Sequence, residues 1–527
     1  MLTLHKKTSS KLIQKLKLQN STSLYRSFSR WSPEREKNLI LPKSSDIINE
    51  KEIWEVLEST KPLAKDPKVI DDILEKAKER SLLKGIDSST GEFVQGLSLK
   101  ETATLLNVDV NNKKFMGKLF DTALSIKERI YGNRIVLFAP LYTSNYCLGS
   151  CKYCGYRVAN KEMKRSSLTN EELVKEVESI EKIGHKRILM LCGEHPKYPF
   201  EKFLEAVKIT SKVTTPPSGD VRRINIEIPS LSVTDMKRLK ATNCVGTVAL
   251  FQETYNRETY KDLHPYGPKS DYDWRLLNMD RANLGGIDDV GIGALFGVFD
   301  YKFEVLALLQ HAIHLENTYN AGPHTISIPR LRPAKNTPYF TKTKYLVDDP
   351  NFIKLVAILR VSVPYTGMIL STRESEEMRK TLMKIGISQM SAGSRTNIGS
   401  YNKKEEGDDS SDEGQFTLAD LRPTDIVIRD LLENGHLPSF CTACYRLGRT
   451  GEEFMSIAKR GDIHNFCHPN GILTVAEYLH DYASPTTKTV GFAALERELL
   501  NIPNLNVRKK VRKQLKQIES GVRDIYW

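Results

Sequence analysis

Between residues 131 and 400, short apolar runs alternate with amphipathic stretches eight times over. The runs RIVLFAPLY, RILMLCGE, RINIEIP, GTVALFQE, VGIGALFG, HTISIPRL, GMILST and ISQMSAGS read as strands. Segments such as LTNEELVKEVESIEKIG, FEKFLEAVKITSKV and FEVLALLQHAIHLE lie between them and carry helical periodicity. Thr169 with Glu172 three residues on gives the first of these helices a capping box. Strands joined through helices must run parallel. Eight such units close into an α/β fold, a (β/α)8 TIM-type barrel, with a doubly wound open sheet as the alternative.

The flanks read differently. Residues 45–130 are helical throughout and form an N-terminal extension of the 131–400 barrel. Residues 401–416, YNKKEEGDDSSDEGQF, are acidic and poor in apolar side chains, so a mobile loop is expected. Residues 417–527 form a mainly helical C-terminal extension with a basic tail.

The net charge of +13 is concentrated at the ends. Residues 1–33 hold seven Lys/Arg and no acid, and 505–527 hold seven against two acids. A nucleic-acid binder carries its charge on the fold, so no nucleic acid is expected as partner. No apolar run approaches the ~18 residues of a membrane span, so no membrane is expected either. The first 33 residues have no apolar core of a secretory signal, and they match an organellar transit peptide.

Of eight cysteines, six form two groups, Cys147/Cys151/Cys154 and Cys441/Cys444/Cys467. Clustering without a secretory signal favours metal ligation over disulfides. The first group follows the first strand, on the face where barrels keep their active sites. Three thiolates leave one iron of a cubane without a protein ligand, whereas structural zinc takes four protein ligands. For the second group, C-x2-C-x22-C, an open iron–sulfur cluster and a Cys3His zinc site with His464 or His468 both fit the spacing. Cys192 and Cys244 are expected to be small buried core residues.

C-x3-C-x2-C in a barrel loop resembles the signature of the radical S-adenosylmethionine (SAM) enzymes. With C-x2-C-x22-C in a C-terminal extension, the chain resembles the HydG-like branch of the ThiH/HydG group. The stretches FQETYNRETYKDLHPYGPKSDYDWRL, HTISIPRLRPA, VPYTGMILSTRE and ISQMSAGSRTNIGSY carry the same likeness, over roughly residues 45–500. The second triad separates this branch from thiamine-pathway tyrosine lyases.

The resemblance implies a SAM-binding 4Fe–4S cluster on Cys147, Cys151 and Cys154, and a second iron–sulfur cluster with an extra iron on Cys441, Cys444 and Cys467. The activity it implies is L-tyrosine cleavage to p-cresol and dehydroglycine, then carbon monoxide and cyanide on iron for an iron–iron hydrogenase. It also implies a low-potential electron donor such as ferredoxin, other hydrogenase maturation proteins as partners, and a hydrogenosome as location (alternatively a mitochondrion or chloroplast). Gly193 and Glu194 resemble the element that contacts the SAM amine, with Cys192 in place of a glycine. Gly291 and Gly293 are expected to let adenine approach the backbone, and Tyr156 and Glu253 to touch SAM or tyrosine. Arg330 and Arg395 are expected to pair a carboxylate, with a rim salt bridge as their alternative role. His264 is expected to bind the extra iron, against hydrogen bonding within its loop. The remaining functional alternatives are a thiazole-synthesis-type lyase without carbon monoxide and a zinc-binding structural protein.

Overall fold

A computed structural model describes residues 39–82, 95–402 and 414–527. The expected transit segment 1–33 lies outside them, as do residues 403–413 of the acidic stretch.

All eight expected strands form: β1 (Arg134–Ser144), β2 (Arg187–Cys192), β3 (Arg223–Glu227), β4 (Val245–Ala249), β5 (Val290–Gly293), β6 (Thr325–Ser327), β7 (Gly367–Leu370) and β8 (Gln389–Ser391). They pair in parallel in chain order, and Val136–Phe138 of β1 close the ring against β8. The barrel reading holds and the open-sheet alternative falls. These strands are short and apolar because helices cover the outside, so both faces are buried. The Thr169–Glu172 capping box is formed at the helix Asn170–Lys182.

A ninth strand, β9 (Leu437–Ser439), comes from the C-terminal extension and pairs with Arg134–Val136 at the start of β1. The extension is therefore part of the sheet rather than a separate appendage. The 401–416 boundary also needs correction. Of its last residues, Gln415 is half-buried and Phe416 buried at the barrel mouth, with the Gln415 carbonyl accepting from Gly155 N at 3.0 Å. Polar composition alone hid this contact.

The N-terminal helices pack on the barrel's outer helices Tyr301–Tyr319 and Asp349–Ser362. Lys354 is buried and its ammonium donates to the Leu106 carbonyl at 2.8 Å and to that of Val108, at the end of the helix Leu99–Asn107. A cation there offsets the negative end of the helix dipole and satisfies orphan carbonyls. No described helix is long and apolar enough to cross a membrane.

The chain after the acidic stretch is fastened by charge. Arg379, fully buried, pairs with the Asp420 carboxylate and donates to the Ser391 carbonyl of β8 at 2.6 Å. Removing one partner leaves the other buried and uncompensated. Arg379→Ala should therefore lower unfolding free energy by about 3–5 kcal/mol in denaturant titration. The exposed ion pair Lys51–Glu55, at 3.7 Å, should change it by less than about 1 kcal/mol.

Candidate active site and metal centres

The loop 145–157 leaves β1 at the C-terminal face and is held from three sides. Arg165 donates to the carbonyls of Asn145 (2.8 Å), Tyr156 (2.7 Å) and Arg157 (2.7 Å). Leu148 N donates to the Glu194 carbonyl at 2.9 Å, and Lys152 N to that of Leu263 at 3.1 Å. At Gly193 a Cβ would fall 2.3 Å from the Tyr146 carbonyl oxygen, which is why the loop needs glycine there. At Gly149 a Cβ would sit 3.2 Å from Cys147 Sγ and 3.5 Å from Cys151 Sγ. That bare position keeps a space open between thiols, and three soft donors around it fit an iron–sulfur cluster. Burial, with their neighbours' charge, pushes the Cys147 and Cys154 thiols up, Cys154 to about 12. Such thiols ionise only with a metal to hold.

A cavity of about 890 Å³, open mouth included, surrounds these thiols and is lined by Tyr156, Gly193, Glu194, Glu253 and Arg275. Four expected site residues thus share one pocket. The Tyr156 hydroxyl donates to the Thr396 carbonyl at 2.6 Å. Cys192, expected in the core, lines the pocket too. Gly291 and Gly293 do not. A Cβ on them would meet Thr325 Oγ1 at 2.5 Å and Phe251 Cδ1 at 2.8 Å, so these glycines serve strand packing.

Below it a second cavity, of about 1160 Å³ on the same measure, occupies the barrel lumen. Barrel interiors are usually filled by branched apolar layers. Here Asn225, Thr247, Thr325, Ser327 and Ser391 line the space, with Arg373, Phe251 and Phe416 nearer the mouth. Glu253 borders both cavities with a left-handed backbone (φ 71°) unusual for a side-chain-bearing residue. Its carboxylate meets Lys269 Nζ at 2.5 Å and Arg275 NH2 at 3.4 Å. Although burial raises its pKa, these cations outweigh that and hold it below the ordinary carboxylate range.

The other three expected residues lie elsewhere. Arg330 is occupied by Glu374 (Nε–Oε1 2.9 Å) and Asp349 (2.6 Å), the rim salt bridge that was its alternative role. Arg395 is exposed and lines neither cavity. The guanidiniums at the cavities are Arg275 and Arg373, which the sequence did not single out. His264 stands beside the first triad: Nδ1 donates to the Tyr260 carbonyl and Nε2 accepts from the Tyr153 hydroxyl, both at 2.9 Å. Both its ring nitrogens are hydrogen-bonded there, and the second triad lies at the opposite end of the barrel.

The second triad lies at the N-terminal ends of the strands. Cys441 follows β9, Cys444 is the second residue of the short helix Ala443–Arg446, and Cys467 sits on the helix Ile463–Asp481. They border a cavity of about 660 Å³ with Arg134, Arg187, Arg223, Asp289, His324 and Arg449. A hydrogen bond from Cys444 and the Arg134 guanidinium favour the Cys467 thiolate, taking its pKa down to about 6, while burial pushes Cys441 up to about 11. Guanidiniums that hold a thiolate ionised suit the binding of an iron–sulfur cluster, whose ligands must be deprotonated. His468 Nε2 donates to the Glu498 carbonyl at 3.1 Å, and His468 does not line this cavity. His324 does: its Nδ1 lies 3.4 Å from Asp289, and burial holds it neutral, at about 4. At ~3.3 Å per strand residue, the two ends of β1 stand about 30 Å apart. Between the lumen and this lower cavity lies one polar layer: Arg223 donates to Asn225 Oδ1 (3.0 Å), Thr247 Oγ1 (2.7 Å) and Asp289 Oδ2 (3.0 Å).

Arg165 is a further residue the sequence did not reveal. Arg165→Ala should cut iron at the first triad, lowering iron per anaerobically reconstituted chain by about half, with unchanged far-UV circular dichroism. Equal iron content would show that the loop does not need it.

The Radical SAM superfamily profile matches residues 141–309, and that of the Biotin and Thiamin Synthesis associated domain matches 327–437. The chain is 28% identical to 2-iminoacetate synthase of Escherichia coli strain K12, over 64% of this chain and 86% of that protein. A crystal structure titled HydG, a maturase of the [FeFe]-hydrogenase, superposes with TM-score 0.84 at 46% identity, covering 92% of this chain and all of the other. The HydG of Carboxydothermus hydrogenoformans gives 0.75 at 37%, covering 90% of this chain and all of that one. Radical SAM membership implies a 4Fe–4S cluster and SAM, and the first triad fits them. On this sequence and structure likeness, the chain belongs to the HydG family of radical SAM lyases.

Proposed function

We propose that the protein cleaves the Cα–Cβ bond of L-tyrosine to p-cresol and dehydroglycine. It then turns the second fragment into carbon monoxide and cyanide on iron, for assembly of an iron–iron hydrogenase active site. The observation carrying this reading is two thiol triads at opposite ends of one polar lumen. A lyase alone needs only the first. The name 2-iminoacetate synthase supports the cleavage, and the maturase title supports the second half.

A 4Fe–4S cluster with SAM at the first triad supplies, when bound, a 5′-deoxyadenosyl radical. The chain's own residues do the rest. Glu194 suits the SAM ammonium, a charge-assisted contact. Tyr142, Phe251 and Phe416 wall the lumen for an aromatic ring, and Arg373 faces it for a carboxylate. Gln415 and Phe416 cover the mouth and keep water from a reactive intermediate. The small fragment crosses the Arg223 layer toward Cys441, Cys444 and Cys467, which hold a second iron–sulfur cluster. His324, in place of His264, holds the extra iron, since neutral imidazole suits that metal. A low-potential donor such as ferredoxin, and other hydrogenase maturation proteins, are the proposed partners. The basic, acid-free residues 1–33 suit delivery to a mitochondrion-related organelle such as a hydrogenosome.

Anaerobic turnover with SAM and tyrosine should yield 5′-deoxyadenosine, p-cresol and carbon monoxide together. The Cys441→Ala/Cys444→Ala chain should keep p-cresol release and make no carbon monoxide, as gas-phase detection would register. p-Cresol without carbon monoxide from the unmodified chain would reduce the activity to a simple lyase. A colourless protein holding only zinc would overturn both halves.

A further inference from the structure

Six residues line both the thiol-side cavity and the lumen: Tyr142, Cys154, Leu191, Glu227, Glu253 and Gln415. They mark the junction where a SAM-derived carbon radical and a substrate in the lumen would meet. Two of them are carboxylates, in opposite circumstances. Glu253 is matched by Lys269 and Arg275, as described. Glu227, the last residue of β3, has no side-chain hydrogen bond or ion pair among the described residues, and it lines both cavities.

An unmatched carboxylate at such a point needs a reason, because burying a charge without a partner is costly. The cleavage proposed above supplies one. An amino acid enters as its ammonium form, which has no lone pair to stabilise a nitrogen radical. Its nitrogen must lose a proton before a hydrogen atom can leave it.

We propose that Glu227 is the general base of this lumen, taking one proton from the amino acid's ammonium group so that the neutral amine enters the radical step. The inference rests on the amino-acid lyase reading. The transfer is heterolytic: the N–H pair stays on nitrogen, the proton moves to a Glu227 carboxylate oxygen, and –NH3⁺ and –COO⁻ become –NH2 and –COOH. No oxidant or reductant is involved, and the later hydrogen-atom abstraction starts from the amine.

The surroundings suit that task. Glu227 is faced by Glu253, Lys269, Arg275, Arg373 and Tyr142. Burial first, then the Glu253 charge, raise its pKa to about 7, while the three cations pull it back. A base poised near neutrality both accepts and releases a proton readily. Two carboxylates driven apart by their environments divide the labour: Glu253 stays charged as a fixed anion, and Glu227 exchanges.

The sign follows from the base form being the active one. p-Cresol formation should fall as pH drops through about 7 and level off above it. In Glu227→Gln this acid limb should vanish, and p-cresol per 5′-deoxyadenosine at pH 7 should fall by about 10²–10⁴-fold, the usual contribution of a positioned base. Calorimetry of tyrosine binding in buffers of different ionisation enthalpy gives a readout without turnover. The wild-type holoenzyme should release about one proton per tyrosine at pH 6 and almost none at pH 8, and Glu227→Gln none at either. A Glu227→Gln chain that keeps the wild-type pH profile and proton release would overturn the proposal, even with a lower rate. If that variant does not fold, Glu227→Asp carries the test: a displaced acid limb supports the assignment, and an unmoved one overturns it. Absence of p-cresol from the wild-type chain would instead remove the lyase reading beneath it.

Discussion

Strand β1 has to satisfy three neighbours along eleven residues, and the rest of the molecule depends on that arrangement. Its start pairs with β9, its middle with β8, and its upper half with β2. Closure by β8 makes a lumen; pairing with β9 brings the C-terminal extension to the lower end; the loop beyond Ser144 carries the first thiols. A shift of register here would move both triads relative to the cavity between them. Because a one-residue slip also inverts every side chain, the polar lumen and the apolar outer face specify the alignment together.

The second organising principle is where charge is matched and where it is not. Arg379 with Asp420, and Arg330 with Glu374 and Asp349, are closed pairs that fasten segments together. At the thiol centres the balance is left open. Buried guanidiniums gather around Cys441, Cys444 and Cys467 in excess over Asp289. Two carboxylates at the upper junction differ in that cations pair directly with Glu253 and only act at longer range on Glu227. These open groups mark the chemically competent places more clearly than residue type does.

The fold was legible because its signal is periodic: eight apolar runs, helices at regular intervals and a capping box at Thr169 all recur in the structure. The thiol groups were legible because ligand spacing is local in sequence. What failed was long-range. Arg330 and Arg395 follow the strands β6 and β8, as useful barrel residues do, but sequence cannot tell an inward strand end from one turned to the rim. His264 and His324 look alike as loop imidazoles; only the barrel's polarity puts one beside each triad. Gln415 and Phe416 were lost in the composition of the acidic run that precedes them. Lys269 reaches Tyr153 from far along the chain and Arg165 ties together the carbonyls of the preceding loop, contacts that no periodicity reports.

Asp289 shows what this architecture entails. It joins the Arg223 layer to the amide of Gly451, which begins the helix Gly451–Lys459 of the extension. The bottom of the reaction vessel is thus assembled from a later piece of chain than its walls. Until that piece arrives, Asp289 lacks its amide partner and the lower cavity lacks the wall that Cys441 to Cys467 supply. Completion of the lower chamber is therefore delayed until the polypeptide is nearly complete, and an interrupted chain would carry the upper thiols and the lumen without the second centre.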